Sequence, residues 1–499
     1  MLPPNIEDEL TEDHVACKLK RVMKKIDYSR LESTYSIEGR PAYPPDVMMR
    51  ILVYSGIEGT RSSRRIEACC KYDMRYIWLC DGYKPDHNTI ARFLKNGSKI
   101  LTDLFAQTLL LCVREGLVSA KCIAVDGSKF EANASKKSMF GKEEIESARK
   151  AAARMLAEAE AIDEEESEAN REAKEELIKK AETCESKASQ AEKLLEETGK
   201  KKVSLSDTES RTMKTGSGIR SSYNVQMAVD TSSGVILSAF VTNAENDHRQ
   251  LPQTLQNIEN ILGKYPDLVL ADTGYSDDVN FGFMRENGIN ALIPVQVHKA
   301  DKTKEDDPFC TKNFTYNKER DVMICPAGKD LAFKAIRSHS QGRLYREYIK
   351  TGCRGCEHCA DCCKTEPSPR RRVYLSVEHE YREDMTQRMS LEENKRLFAK
   401  RKETIEPTFG DFKSNRNFRR FNLRGLEGVT CETLLMCIAH NLRKLACCAR
   451  FWLFLRLLRA RSSSKCRAQD LQMRFRCQFG LPIGFGPKSG LQTVSEWAQ

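Results

Sequence analysis

Two short apolar runs, each ending in an aspartate, constrain this chain more than any other feature. Cys122-Ile-Ala-Val-Asp126 is followed by Gly127, and Leu268-Val-Leu-Ala-Asp272 emerges from Pro266-Asp267. Runs of this length bounded by turn residues read as buried strands that deliver a carboxylate at their C-terminal ends. Between them, Tyr223 to Asp230 alternates in the strand period, and Ser233-Gly234 turns it back into Val235 to Thr242 as a hairpin. A helical run led by Asp247 carries Leu251, Leu255, Ile258 and Leu262, and a helix near 278–287 and a strand near Ala291 to Pro294 follow. The order strand, hairpin, helix, strand, helix, strand predicts an α/β fold, a mixed sheet with flanking helices.

At 499 residues the chain has material for two or three domains. Residues 1–112 read as an all-helical domain: Pro44-Pro45-Asp46 opens an apolar-periodic run from Val47 to Ile57, and Pro85-Asp86-His87-Asn88-Thr89 opens another. Short helices joined by tight turns suit a DNA-binding module and equally suit any small helical domain. Residues 143–202 are dominated by Ala, Glu and Lys, which predicts a charged helical insertion into a second domain spanning 113–447. A second insertion, 300–398, carries a cysteine cluster, and 448–499 form a basic C-terminal tail without a clear period. No stretch of eighteen uncharged apolar residues occurs, and the start lacks the basic, apolar and small-residue parts of a secretory leader, so a cytoplasmic protein without a membrane partner is expected. The twenty cysteines sit in a long, unsignalled chain and are expected to be mostly reduced.

The formal charge of +10 is unevenly placed. From Phe412 to Arg476 there are 15 Lys or Arg against Glu427, Glu432 and Asp470. Such an excess is the footprint of a polyanion partner such as DNA; a solvated basic face would read the same. Asp126 and Asp272 would lie side by side if the chain returns to the first strand after the hairpin. Hard cations prefer oxygen ligands and take one or two carboxylates each, and a two-ion phosphoryl-transfer site needs a third acid to hold both. Glu406 is the candidate, early in a segment followed by basic residues. Each acid also has a plainer reading: a strand-end Asp as turn former, Glu406 before Pro407 as a helix-start residue.

At these residues the chain resembles the DDE transposases of bacterial insertion sequences, the group with a ribonuclease H-like catalytic domain. The resemblance rests on Gly-Arg-Pro-Ala-Tyr-Pro-Pro at Gly39 to Pro45, Pro-Asp-His-x-Thr-Ile at Pro85 to Ile90, Val-Asp-Gly at Val125 to Gly127, and Tyr-Asn-Val-Gln-x-Ala-Val-Asp at Tyr223 to Asp230. It continues through Ala-Asp-x-Gly-Tyr at Ala271 to Tyr275, Ile405-Glu406-Pro407-x-Phe409-Gly410, Asn417 to Phe421, and Ala439-His440-Asn441-Leu442, covering about residues 30 to 447. It implies a ribonuclease H-like fold and a catalytic, metal-binding triad of Asp126, Asp272 and Glu406 holding two Mg²⁺ or Mn²⁺ ions. It further implies that Lys413, seven positions after Glu406, contacts DNA from the same cleft. Lys402, Arg416, Arg419 and Arg420 join Lys413 as expected DNA contacts. Related enzymes often carry Tyr and Arg where this chain has Ala399 and Lys402, and Lys402 lacks a bidentate phosphate fork. Asp230, ending the neighbouring strand, is a rival acid expected to be structural, and Tyr275 is expected to be buried.

The function implied is cleavage and strand transfer at the terminal inverted repeats of an insertion sequence, by a homodimer assembled on double-stranded repeat and target DNA. The alternative is a catalytically inactive DNA-binding relic. Cys353-x-x-Cys356-x-x-Cys359-x-x-Cys362-Cys363, preceded by Cys325-Pro-Ala-Gly328, has the CxxC spacing with which thiolates enclose a structural Zn²⁺. Cys325, Cys353, Cys356 and Cys362 are the expected ligands, with Cys359 or His358 as substitutes; reduced surface thiols are the other reading.

Overall fold

In the computed structural model the first apolar run becomes β1 (Cys122–Glu131), the central strand of a six-stranded sheet. The described residues are 10–33, 35, 42–95, 97–162, 167–295, 307–338, 344–363 and 369–448. Gly39 to Pro41 of the first motif and the tail from Ala449 onward lie outside them. The described residues up to Ala446 form one compact unit.

The hairpin signals fold as expected. β2 (Arg211–Thr215) and β4 (Ile236–Thr242) pair with one edge of β3 (Gly218–Asp230), and β1 runs antiparallel along the other. On its far side β1 is parallel to β5 (Leu268–Ala271), which is parallel to β6 (Ala291–Leu292). This mixed sheet with flanking helices is of the ribonuclease H-like kind. β1 and β5 read as apolar runs because Ile123 to Val125 and Val269 to Ala271 are fully buried, whereas β3 alternates although its polar Asn224 and Gln226 are fully buried too.

The helices before the sheet, including α1 (Val15–Met23), α2 (Pro45–Glu58), α3 (Ser63–Tyr72), α4 (His87–Lys95) and α5 (Ser98–Arg114), belong to the same compact unit. A Cβ on Gly56 of α2 would stand 3.1 Å from that of Ala439, so glycine lets α2 approach the C-terminal helix Gly425–Ala446 closely. The 143–202 segment forms an antiparallel helical hairpin, α6 (Lys142–Glu160) and α7 (Glu168–Thr198). Small residues, Ala152, Ala159, Ala181 and Ala188, fill its seam, and Arg149 bridges to Glu185 and Glu192. The second insertion is a five-stranded antiparallel sheet, β7 (Thr315–Asn317), β8 (Val322–Ile324), β9 (Asp330–Ser338), β10 (Leu344–Thr351) and β11 (Arg370–Ser376). It has its own core of Phe309, Phe314, Met323, Leu331, Tyr348 and Val373. No helix among the described residues is long and apolar enough to cross a membrane.

After α8 (Leu251–Leu262) and α9 (Glu392–Gly410), which continues into a π turn over Asp411–Asn415, the chain ends its compact unit in α10 (Gly425–Ala446). The Ala-His-Asn-Leu piece of α10 pins the β3–β4 turn. Asn441 bonds both the N–H and the C=O of Ile236, at 2.9 and 2.8 Å, and His440 Nε2 lies 2.9 Å from the Gly234 carbonyl. Burial lowers the His440 pKa to about 4, against the Gly234 bond that favours its charged form; Arg416 and Lys444 push the same way as burial and Asp411 opposes them. The folded protein therefore refuses a proton that the unfolded chain accepts near pH 6.5. This stability is fully present above pH 6.5 and is lost as pH falls towards 4, about 3 kcal/mol in all. His440→Gln, which keeps an N–H for Gly234, should flatten the melting temperature over that window; an unchanged slope would remove His440 as its cause.

Candidate active site

β1 and β5 are paired in parallel with Val125 opposite Ala271, so Asp126, midway along β1, and Asp272, just past the end of β5, sit at one level on neighbouring strands; the pairing of β1 with β3 carries it on to Glu131, beyond the expected end at Asp126. β5 ends there because Asp272 bends the chain: its Oδ1 accepts the Gly274 N–H at 2.7 Å and starts a 3₁₀ turn over Thr273–Tyr275. Asp126 Oδ1 accepts the Gly127 N–H at 2.9 Å. Burial is the main reason that the Asp126 carboxyl titrates high, at about 6; Arg401 opposes this, and Asp272 and Asp247 add to it. The two acids expected side by side are side by side.

Glu406 lies on α9, the helix that crosses β1, but its side chain is exposed and bonds to neither aspartate. The residue of α9 that reaches the site is Arg401, whose Nη1 stands 3.0 Å from Asp126 Oδ2. Arg401 is 6% exposed and its Nε has no partner among the described residues. Lys402, singled out from the resemblance, points to solvent. The signal was in the helical period: Arg401, Ile405, Thr408, Phe409 and Phe412 form one buried stripe, and Lys402 falls outside it.

A third carboxylate also arrives. Asp247 does not lead a helix, since α8 starts four residues later with Gln250 as its cap. Its Oδ1 instead accepts Asn224 Nδ2 at 2.8 Å and Gln226 Nε2 at 2.6 Å, both from β3. Gln226 Oε1 in turn accepts the Tyr275 hydroxyl, so Tyr275 is fully buried as expected. Asp230 is a turn former. Its Oδ2 accepts from Ser119 and Ala120, and its Oδ1 from the N–H groups of Ser232 and Ser233. Burial pushes its pKa up, but these bonds outweigh burial and hold it below the usual carboxylate range.

The expected DNA contacts divide. Lys402, Arg419 and Arg420 are exposed. Arg420 also bonds the carbonyls of Ala132 and Ala134, and Arg419 that of Lys413. Lys413 is half-buried at the sheet, 2.6 Å from Ser128 Oγ and over the Phe130 ring, and burial lowers its pKa. The π turn after Glu406 breaks the α-helical spacing between Glu406 and Lys413. Arg416 is 1% exposed, paired with Asp411 at 2.8 Å inside the protein, and is not placed to meet a ligand.

The cysteines of the second insertion converge on a cavity of about 190 Å³ lined by Cys325, Cys353, Cys356, Cys359, Cys362 and Cys363. The Lys329 N–H donates to Cys325 Sγ at 3.2 Å across a turn in which Gly328 has φ +71°. Cys362 has Cys363, Cys325 and Cys353 as its sulfur neighbours, and Cys363 also bonds Cys353, so Cys363 joins the expected ligands in the cluster. His358 stacks on Phe309 instead of facing the sulfurs. All cysteines among the described residues are free thiols. As the side chains lie, no three His, Cys, Asp or Glu among the described residues form a metal-holding group, here or at the aspartates.

Two protein families match the chain: a transposase DDE domain over residues 324–446 and a transposase domain, DUF772, over residues 4–96. No curated protein matches it.

Proposed function

This chain belongs to the DDE transposases of insertion sequences, and on that premise we propose that it cuts and rejoins DNA at terminal inverted repeats, with two divalent ions held by Asp126, Asp272 and Glu406. The observation that carries this reading is the parallel β1–β5 register, which brings Asp126 and Asp272 out together. Their donor set is oxygen only, which fits Mg²⁺ or Mn²⁺. Burial is the main cause of the raised pKa of Asp126, and the nearby Asp272 and Asp247 add to it, so a cation there would favour the ionised carboxylate. Ions bound there would activate the attacking water or 3′-hydroxyl and stabilise the leaving oxygen.

The chain's own residues supply the rest. Arg401 pairs with Asp126 from a buried position and balances part of its charge. Glu406 stands in solvent on the same helix, free to turn towards bound DNA. Lys402, Arg419 and Arg420 offer exposed positive charge for the backbone, with Lys413 deeper at the sheet. Paired ends imply a homodimer on DNA, working in the cytoplasm. The test is incubation of the full chain with duplex carrying the adjacent inverted repeats, in Mg²⁺ or EDTA. Metal-dependent nicking at the repeat boundary supports this reading; binding without cleavage in Mg²⁺ or Mn²⁺ marks a DNA-binding relic instead.

We propose also that the cysteine cluster holds a structural Zn²⁺. Backbone N–H donation to Cys325 Sγ stabilises a thiolate, Cys325, Cys353 and Cys363 neighbour Cys362, and Cys356 and Cys359 line the same cavity. About one zinc per chain is expected by mass spectrometry of natively purified protein, with loss in Cys353→Ser. Zinc near zero in a folded, metal-replete preparation would remove the idea.

A further inference from the structure

We infer that Asp247 is a further carboxylate of the catalytic metal centre, packed against Gly127 and bordering the same space as Asp272. The inference rests on the metal-centre reading above. Asp247 reaches the site from the loop after β4, which no strand-end signal marks. Its approach depends on missing side chains. A Cβ on Gly127, next to Asp126, would fall on Asp247 Oδ1 and Gln226 Nε2. A Cβ on Gly274 would stand 2.9 Å from Asp272 Oδ1 and 3.4 Å from Asp247 Oδ2, so both carboxylates border the same small space. The two glycines act differently: Gly127 makes room for Asp247, and Gly274 makes room for the Asp272 carboxylate that borders the same space.

The carboxylate is also aimed. Asn224 and Gln226 both donate to Oδ1, and Tyr275 fixes Gln226 from behind. That leaves Asp247 Oδ2, on the Gly274 side, with no donor among the described residues, and Asp272 Oδ2 likewise accepts nothing there. A separate observation points to a ligand. Asn224 is fully buried, its Oδ1 has no partner among the described residues, and that oxygen lies 2.9 Å from the space above Gly127. A buried acceptor without a donor on the Gly127 side of Asp247, together with carboxylate oxygens open on its Gly274 side, suits a hydrated divalent cation.

The experiment is Mn²⁺ binding to the full chain, read from the electron paramagnetic resonance of free Mn²⁺, for the native protein and for Asp247→Asn, Asp272→Asn and Asp126→Asn. Circular dichroism melting checks the fold of each. Asp247→Asn should weaken Mn²⁺ binding about 10- to 100-fold, as Asp272→Asn does. Asp247→Glu, which keeps the charge, should give a smaller loss and serves if Asp247→Asn does not fold. Native-like Mn²⁺ affinity in a folded Asp247 variant, with loss in Asp126→Asn and Asp272→Asn, overturns the role of Asp247 and leaves the metal centre standing. Unchanged affinity in all three Asn variants overturns the metal centre itself, and this inference with it.

Discussion

Asp272→Asn is expected to slow Mg²⁺-dependent strand cleavage at the repeat ends by about 10³-fold, equivalent to about 4 kcal/mol of transition-state stabilisation. DNA affinity and melting temperature should stay close to native. The reason lies in what Asn keeps and what it loses. Asp272 ends β5 and caps the following turn by accepting the Gly274 N–H, a bond that an Asn side-chain oxygen can also accept. The turn survives, and so does the placement of Tyr275. Only the negative charge beside Asp126 disappears. Loss of cleavage together with loss of folding would mean that the carboxylate is structural; undiminished cleavage would take Asp272 out of the chemistry.

The largest expected effect on stability comes from Arg61. Its Nη2 pairs with Glu432 Oε2 at 2.5 Å, with both side chains nearly buried, and Glu432 Oε1 accepts the N–H of Asn422 and of Leu423. Arg61 also donates to the carbonyls of Asn417 and Arg420 and lies over the Phe418 ring at 4.4 Å. One side chain therefore ties the N-terminal helices to the segment that carries Arg419 and Arg420. Burial raises the Glu432 carboxyl pKa and lowers that of Arg61, so each charge depends on the other. Arg61→Ala should cost about 3–5 kcal/mol, because it leaves a buried carboxylate uncompensated. The double replacement Arg61→Ala, Glu432→Leu should recover part of the loss. Chemical denaturation measures both; a cost under about 1 kcal/mol would show that water reaches the pair.

How far the sequence discloses the site depends on how local each residue's role is. Asp126 and Asp272 are legible because an apolar run ending in an acid and a glycine has few structural solutions, and the hairpin between them forces the chain back to β1. Asp230 ends its strand in the same way, and only its bonds to Ser119, Ala120, Ser232 and Ser233 show that it is spent on turns. Arg401 needs the orientation of α9 on the sheet, which the helical period suggests and counting back from Glu406 does not. Asp247 is hidden because nothing local distinguishes it from a helix cap; it becomes visible through Gly127, Gly274 and the amides of β3. Arg416 reads as a surface cation beside Arg419, but the turn around Asn417, with φ +51°, sends it inward to Asp411 while its neighbours face out. Charge counts over a segment cannot make that division.

The central claim, that Asp126 and Asp272 hold metal against the phosphate being cut, is tested most directly at the phosphate itself. Repeat-end duplex with one non-bridging oxygen of the scissile phosphate replaced by sulfur would be cleaved in Mg²⁺ and in Mn²⁺. Mg²⁺ prefers oxygen strongly, and Mn²⁺ tolerates sulfur better. For one sulfur stereoisomer, cleavage should fall at least about tenfold in Mg²⁺ and recover in Mn²⁺. Equal rates for sulfur and oxygen substrates in both metals, for both stereoisomers, would contradict direct contact between the metal centre and the phosphate.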